Sequence, residues 1–217
     1  MQDQAKKSYL LREENRHLWY GVILIIYFIG FYLVEWFVPA EACFSSYIPL
    51  DDKIPFLEGF VVPYVIWMPM VVGMAAYLAW KDPMGFKRYM VFLAITLYST
   101  LLFYAICPNR QDLRVTEFPR NNIFTWAVSM VYQNDTNTNV CPSIHVIGSF
   151  AVVFAAWNCP KLRSFWKQAV IWIGAFVVAV STVFVKQHSA LDLIAAAILC
   201  VAAYPLAYKL AFRKKKS

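Results

Sequence analysis

The sequence predicts an all-α, polytopic membrane protein with six transmembrane helices and both termini in the cytoplasm. Three observations lead to this fold class: 60% of the 217 residues are apolar, only 15% are charged, and the apolar residues form long runs. A soluble domain is about 45–50% apolar and about 25% charged. One hydrophobic core cannot absorb the excess, so the composition excludes an ordinary soluble enzyme, a disordered chain and a small disulfide-rich domain.

Six apolar runs approach or reach the length of about 20 helical residues that crosses a bilayer. They are residues 18–38, 60–80, 89–107, 143–157, 168–185 and 191–212. Peptide groups in hydrocarbon must be hydrogen-bonded within the protein, and the strict alternation of a membrane barrel is absent, so we expect helices. The first run has a longer apolar core than a signal peptide and no cleavage site after it, which predicts a retained anchor.

Basic residues determine the predicted orientation, because Lys and Arg accumulate in the cytoplasmic loops of membrane proteins. Six spans with both termini inside place 15 of the 20 basic residues in the cytoplasm. These are Lys6, Lys7, Arg12, Arg16, Lys81, Lys87, Arg88, Lys161, Arg163, Lys167, Lys209, Arg213, Lys214, Lys215 and Lys216. We therefore expect one membrane domain over residues 1–217, with a basic leader at 1–17 and a basic tail at 213–217. The tail is interpreted as a topology signal rather than as a nucleic-acid-binding segment.

The segment at 108–142 is the one long polar connection, and it is predicted to lie outside the cell. Long connections in compact proteins commonly carry function, which makes this outer loop a candidate part of an active site.

The five cysteines are odd in number and are not spaced like metal ligands. Cys43, Cys107 and Cys141 lie at or near the predicted outer face, where a disulfide is chemically permitted. Unpaired, small hydrophobic side chains are the simpler interpretation.

Three ionisable side chains lie at membrane depth, where such groups are costly and usually functional. His145 begins the fourth run, whereas His188 and Asp192 begin the sixth. The predicted topology puts all three at the same depth on the outer face, close to Arg110 and Arg114 of the outer loop.

His188 and Asp192 are four residues apart, so they share one face of a helix. The carboxylate can accept the N–H of one ring nitrogen and leave the other nitrogen as a nucleophile or base. Taken alone, the spacing is also typical of a polar pair at a helix start. A metal site is a further alternative, although no additional carboxylate, His or Cys cluster completes a coordination shell.

Pro142 and Ser143 predict the start of the fourth helix, because proline suits the first helical position. The free N–H groups of a helix N-terminus bind anions, Ser143 adds a hydroxyl, and His145 can hold a proton for transfer. A capped helix with an interfacial histidine is the alternative. Together with the arginines, whose planar fork suits phosphate oxygens, these groups indicate a phosphoryl-transfer site.

These residues resemble the type 2 phosphatidic acid phosphatase superfamily, which carries the blocks Lys-x6-Arg-Pro, Pro-Ser-x-His and Ser-Arg-x5-His-x3-Asp. Residues 142–145 match the second block, and Ser181, His188 and Asp192 match the third at the same spacing. The order of the blocks and their placement between spans are similar to those of the six-helix membrane branch over most of the chain.

Two blocks depart from the family pattern. Thr182 stands in place of the arginine of the third block, and Lys186 is the candidate for the missing charge. The first block lacks its lysine and its proline, with Arg114 as the candidate for its arginine and Arg110 as a second. A loosened first block is similar to the branch that includes inositol phosphorylceramide and sphingomyelin synthases, so a lipid phosphotransferase stays an alternative to a phosphatase.

The resemblance implies a two-step reaction that needs no metal ion and no other cofactor. His188 attacks phosphorus, Asp192 orients it, and His145 protonates the leaving oxygen; water or an acceptor alcohol then takes the phosphoryl group from the phosphohistidine. The implied phosphate-binding residues are Arg114, Ser143, Lys186, Arg110 and Ser181.

The expected substrate is a membrane lipid phosphate or a polyprenyl pyrophosphate. Its head group meets the site on the extracytoplasmic side of the cell membrane while its tail stays in the bilayer. A non-catalytic lipid binder or transporter with the same fold is the third alternative.

Overall fold

The computed structural model describes residues 13–38 and 43–212, and it is about 75% helical. Most of the predicted basic leader, up to residue 12, and the basic tail at 213–217 lie outside the described residues. The α-helices are α1 (Val22–Phe37), α2 (Val61–Lys81), α3 (Pro83–Ile106), α4 (Ile123–Asn134), α5 (Ile144–Asn158), α6 (Phe165–Phe184) and α7 (Ala190–Pro205). Short 3-10 turns occur at Glu13–Gly21, Asp51–Lys53, Glu58–Phe60 and Pro160–Leu162, and a π-helical turn at Leu206–Leu210 follows α7.

Five helical segments of the described chain are long and apolar enough to cross a membrane. They are Asn15–Phe37, Glu58–Lys81, Pro83–Ile106, Phe165–Phe184 and Ala190–Leu210. The predicted class of an all-α membrane protein is thereby confirmed, whereas the number of crossings and the side of the termini stay predictions.

The fourth apolar run forms the shorter helix α5, whose 15 residues span about 22 Å. Helix α5 is the central helix of the bundle, because it packs against α2, α3, α6 and α7 and buries ten of its residues. A helix enclosed by other helices is in contact with protein rather than lipid over most of its length.

Helix α3 begins six residues before the apolar run that predicts it. Pro83 occupies its first position, and the side chain of Asp82 accepts a hydrogen bond from the backbone N–H of Gly85 at 2.9 Å. A proline with an N-terminal aspartate cap is a strong helix start, so the helix includes Lys87 and Arg88, which lie before the apolar run.

Helix α4 lies inside the outer loop and was not predicted. The side chain of Asn122 accepts the backbone N–H of Thr125, and the Thr125 hydroxyl accepts the N–H of Asn122, which completes a capping box. Val128 of this helix packs into a small apolar cluster with Val61 and Val185. The outer loop is thus folded over the ends of α2 and α6.

A two-stranded parallel sheet joins the connections at the same end of the bundle. Strand β1 (Phe44–Ser45) follows α1, and strand β2 (Asn109–Arg110) follows α3. Arg110 also forms an isolated antiparallel bridge with Thr138, just before α5. Three segments that are distant in the sequence are therefore fixed side by side.

The five cysteines all lie within the described residues, and Cys107, Cys141, Cys159 and Cys200 are free thiols there. Cys107 is partly exposed, and the other four are buried.

Candidate active site

Two histidine rings from separate helices meet at one end of the bundle. His145 lies in the first turn of α5, and His188 immediately precedes the cap of α7. Their ring centroids are 5.5 Å apart, and only 7% of His145 and 5% of His188 is exposed. A single phosphoryl group can therefore contact both rings.

Asp192 holds the ring of His188. Nδ1 of His188 lies 3.1 Å from Oδ2 of Asp192, which is fully buried and also accepts the backbone N–H of Ser189 at 3.0 Å. Because a carboxylate accepts hydrogen bonds, this contact puts the ring proton on Nδ1 and leaves the lone pair on Nε2.

The turn between α6 and α7 presents His188 to the site. The backbone N–H groups of Gln187 and His188 both donate to the carbonyl oxygen of Thr182, at 2.9 and 3.2 Å. Lys186 lies between them and the helix with a φ of 57°. Thr182, which stands where the family has its arginine, therefore fixes His188, the candidate nucleophile, through its backbone carbonyl group.

Asp51, which the sequence did not indicate as a site residue, anchors the start of α7. Its carboxylate accepts the hydroxyl of Ser189 and the backbone N–H of Ala190, both at 2.7 Å. Ser189 in turn caps the helix by accepting the N–H of Leu191 at 3.1 Å. Nothing local in the sequence signals this contact, because the partners are 138 and 139 residues apart.

Ser143 connects the two helix starts. Its backbone N–H donates to the carbonyl oxygen of Asp192 at 3.2 Å, and within the described part of the chain its buried hydroxyl has no hydrogen-bond partner. It is the N-cap residue of α5, and its side chain forms no capping bond. The first N–H groups of a helix have no partner inside the helix, so this end can bind an anion.

Two aromatic side chains of α2 flank His145 and were also missed. The ring of Tyr64 stacks on His145 at 4.5 Å, and the ring of Trp67 lies 4.4 Å from it. A Cβ at Gly148 would overlap the indole, so glycine permits this close approach. The three-residue spacing of the aromatics in α2 is the signal in the sequence, because it puts both rings on one helix face.

Arg114 lies next to the site, and most of its N–H groups donate to protein oxygens. Nε donates to the side chain of Gln187 at 2.8 Å. The terminal nitrogens donate to the carbonyl oxygens of Tyr132 and Asp135 at 3.0 Å and of Thr136 at 2.7 Å. The guanidinium thus fixes the outer loop to the turn before α7, and its role as a phosphate ligand stays a prediction.

Lys186 points its ammonium group at backbone oxygens. Its Nζ donates to the carbonyl oxygens of Asp51 at 3.0 Å and of Ile54 at 2.6 Å. Burial lowers the pKa of Lys186, and the nearby carboxylates of Asp51 and Asp52 oppose that shift. The role of Lys186 as a phosphate ligand stays a prediction.

The two remaining predicted ligands lie in different surroundings. Arg110 forms an ion pair with Asp112 at 3.2 Å on the outer loop. Ser181 is fully buried in α6, where its hydroxyl donates to the carbonyl oxygen of Val178 at 2.6 Å. The structure brings Ser143, His145, His188 and Asp192 together. The bonds described here for Arg110 and Ser181 go to Asp112 and Val178 instead.

An apolar cavity of about 90 Å³ adjoins the site. It is enclosed by α1, α2, α3 and α5, and Trp67 and Ile144 line it at the side of His145. Within residues 13–38 and 43–212, no group of three or more His, Cys, Asp and Glu side chains is placed to hold a metal ion.

Residues 67–216 match the family model of the PAP2 superfamily. The chain belongs to this superfamily. The resemblance to type 2 phosphatidic acid phosphatases is thereby confirmed, and the match includes Ser143, His145, His188 and Asp192. PAP2 proteins are phosphatases or phosphotransferases that act on phosphate esters, which supports an enzyme that cleaves a phosphoester. No curated protein and no solved structure matches the chain.

Proposed function

We propose that this PAP2 protein is an integral-membrane phosphatase that hydrolyses a lipid phosphate or a polyprenyl pyrophosphate on the extracytoplasmic side of the cell membrane. One observation carries the proposal: His188, held by Asp192, and His145 face each other 5.5 Å apart beside an uncapped helix N-terminus. This arrangement contains a nucleophile, a proton donor and an anion site in one buried place.

In the first step, Nε2 of His188 attacks phosphorus. A P–N bond forms, and the P–O bond to the lipid breaks with its electron pair on the leaving oxygen. His145 donates a proton to that oxygen, so the lipid leaves as an alcohol or, from a pyrophosphate, as a monophosphate. Asp192 stabilises the positive charge that develops on the ring of His188.

In the second step, water attacks the phosphohistidine. His145 takes a proton from the water, the P–N bond breaks with its electron pair on Nε2, and inorganic phosphate leaves. The protonation states of both histidines are thereby restored. General acid–base catalysis of this kind contributes about 10²- to 10⁴-fold in rate.

The equatorial phosphate oxygens are proposed to lie at the start of α5. The hydroxyl of Ser143 and the N–H groups of the first turn supply donors, and the N-terminus supplies partial positive charge. Arg114 retains one N–H outside its four observed bonds, and we propose that this group and Lys186 add long-range positive charge.

Two observations support a lipid substrate. The helices expose many large apolar side chains, including Trp36, Trp80 and Trp166, as a bilayer-embedded protein does. The apolar cavity beside Trp67 and Ile144, about 90 Å³ in volume, is proposed to receive part of a lipid chain next to the reacting phosphate. A soluble phosphate ester gains nothing from either feature.

The test is phosphate release by purified protein in lipid nanodiscs. The panel contains a phosphatidate, a polyprenyl pyrophosphate and the soluble ester glycerol phosphate, each with and without a metal chelator. We expect release from at least one lipid, no effect of the chelator, and little release from glycerol phosphate. His188→Ala should lower the rate by roughly 10³-fold or more, since it removes the nucleophile.

His17→Ala is the matched control, because His17 is the third histidine and contacts the carbonyl oxygen of Ala79, far from the site in the sequence and the fold. This control should keep the wild-type rate. Full activity of His188→Ala, or loss of wild-type activity with chelator, contradicts the proposed mechanism.

A lipid phosphotransferase is the second candidate. The departures in the first block favour it, and so does the burial of both histidine rings, which limits the access of water. Product analysis with and without an acceptor alcohol separates the two functions. If phosphate is never released and a product lipid forms only with the acceptor, transfer is the reaction.

A further inference from the structure

Glu35 is the one charged residue of α1. A carboxylate within a membrane span costs free energy, so the groups that bond to it indicate what role it has. Here Oε2 and Oε1 accept the hydroxyl of Thr138 at 3.0 and 3.3 Å, and Oε1 also accepts the side-chain N–H of Asn139. The first helix is thus bonded to the segment that leads directly into Pro142 and Ser143.

Asn139 has an uncommon backbone conformation that needs support. Its φ is 52°, in the left-handed region that few residues other than glycine adopt, although asparagine tolerates it better than most. Its backbone N–H donates to the carbonyl oxygen of Asn109 at 2.5 Å, and only 5% of the residue is exposed. The hydrogen bond that the Asn139 amide donates to Glu35 fixes this side chain.

The residues after Asn139 are held from the other side. Oδ1 of Asn109 accepts the N–H groups of Val140 at 2.9 Å and Cys141 at 2.7 Å. The hydroxyl of Tyr104 donates to the carbonyl oxygen of Pro142 at 2.7 Å. The chain from 138 to 142 is therefore bonded at every residue, and the next residue is the cap of α5.

We infer that Glu35 is a positioning residue of the active site: it anchors the 138–142 segment from α1 and so determines where Ser143 and His145 stand relative to His188. The effect on catalysis rests on the proposed function. The matched region of the PAP2 superfamily begins at residue 67, so family membership assigns no role to Glu35. A displacement of about 1 Å in a catalytic group can cost about 10²-fold in rate, which makes such an anchor consequential.

The test compares Glu35→Ala, Glu35→Gln and the matched control Glu117→Ala, an exposed carboxylate of the outer loop. The substrate is the panel lipid that the wild type hydrolyses fastest, and kcat, KM and Tm are measured for each protein. We expect Glu35→Ala to lower kcat about tenfold or more and to raise KM by no more than about tenfold, because the reacting groups and the anion site are displaced while the contacts of the lipid tail remain.

Glu35→Gln should keep kcat within about threefold of wild type. The amide oxygen of the glutamine can still accept the hydrogen bond from Asn139. The hydroxyl of Thr138 can rotate to accept a hydrogen bond from the glutamine N–H. Glu117→Ala should be unchanged. Equal kcat values in Glu35→Ala and Glu117→Ala overturn the inference, and so does a Gln variant as impaired as the Ala variant.

Asn139→Ala covers the case in which Glu35→Ala does not fold, since it removes the same bond from the other side. The same loss in kcat is expected, and an unchanged kcat overturns the inference.

Binding of inorganic phosphate separates this inference from the proposed function. Stabilisation of the full-length protein by added phosphate should show a Kd about tenfold weaker in Glu35→Ala, even if no lipid of the panel is hydrolysed. Absence of phosphate release by the wild type contradicts the proposed function alone. An identical phosphate Kd in wild type and Glu35→Ala, or no binding to either, overturns the positioning role.

Discussion

At the scale of single residues, the contact between His188 and Asp192 determines which ring nitrogen keeps a free lone pair for the proposed reaction. Oδ2 of Asp192 receives both Nδ1–H of His188 and the N–H of Ser189, so the carboxylate is itself held in place by the helix start. The bond fixes the tautomer of the neutral ring and, in the proposed reaction, stabilises the positive charge on it.

Asp192→Asn tests this role. The amide carries no charge to stabilise the imidazolium and does not enforce the tautomer, so we expect kcat to fall by roughly 10²-fold or more. Steady-state kinetics on the preferred lipid check it, with the melting temperature measured to confirm folding. A folded variant with kcat within threefold of wild type would contradict the assignment.

The thiol of Cys141 is expected to stay protonated at neutral pH. Burial, and then the nearby carboxylate of Asp192, raises the pKa of Cys141 to about 12 from an ordinary value of 9.0. Because alkylation requires the thiolate, iodoacetamide at pH 8 should modify the partly exposed Cys107 and spare Cys141 in the native protein.

Mass spectrometry of the digested protein measures the labelling, and equal modification of the two cysteines contradicts the expectation.

The raised pKa of Cys141 also determines how the free energy of unfolding changes with pH. Above about pH 9 the unfolded thiol loses its proton while the folded one keeps it, so Cys141 lowers the free energy of unfolding as the pH rises further.

Some of these residues were predictable from the sequence, and others were not. The positions of Ser143, His145, His188 and Asp192 were predictable, because they depend on helix starts and on a four-residue spacing, which are local properties. The surroundings of Lys186 were not, because its ammonium group bonds to carbonyl oxygens 132 and 135 residues away in the chain.

At the scale of elements, the start of α7 depends on a side chain from the connection between α1 and α2. Asp51 is 1% exposed and accepts bonds from Ser189 and Ala190. Its removal leaves a buried hydroxyl and a buried N–H without partners, and each such group is costly.

Asp51→Ala should lower the free energy of unfolding by roughly 1–3 kcal/mol. The matched control is Asp52→Ala, because Asp52 is exposed and bonds only to the hydroxyl of Tyr47 among the contacts described for it. Denaturation of both variants in the same detergent gives the comparison. Equal stabilities would mean that Asp51 does not anchor α7.

The apolar runs predicted the long helices, since hydrocarbon favours only internally bonded backbone. They did not predict α4. Its capping box uses Thr125 where the common sequence signature has Glu or Gln, and its neighbours on either side are polar, so the segment resembles a loop in the sequence.

At the scale of the whole molecule, the arrangement of basic residues predicts six crossings with both termini inside. The structure supplies five helices of sufficient length and the shorter central helix α5. The sequence could not show that α5 is central, because its enclosure depends on contacts with four other helices.

Cysteine labelling on intact cells tests the topology, because an impermeant reagent reaches only the outer face. Glu117→Cys, on the outer loop, should gain labelling over wild type, whereas Lys161→Cys, between α5 and α6, should gain it only after permeabilisation. Both positions are exposed in the structure, so access differs by side alone. Labelling of Lys161→Cys in intact cells contradicts the six-span topology.

The most direct test of the central claim is to trap phosphate on the enzyme itself. Wild type is mixed with phosphorus-labelled lipid phosphate, quenched within milliseconds, and mapped by peptide mass spectrometry. We expect an acid-labile, base-stable label on His188 that His188→Ala lacks. Product formation without any labelled histidine, or a label on another residue, would contradict the phosphohistidine mechanism. If no label and no product form, a non-catalytic lipid binder is favoured.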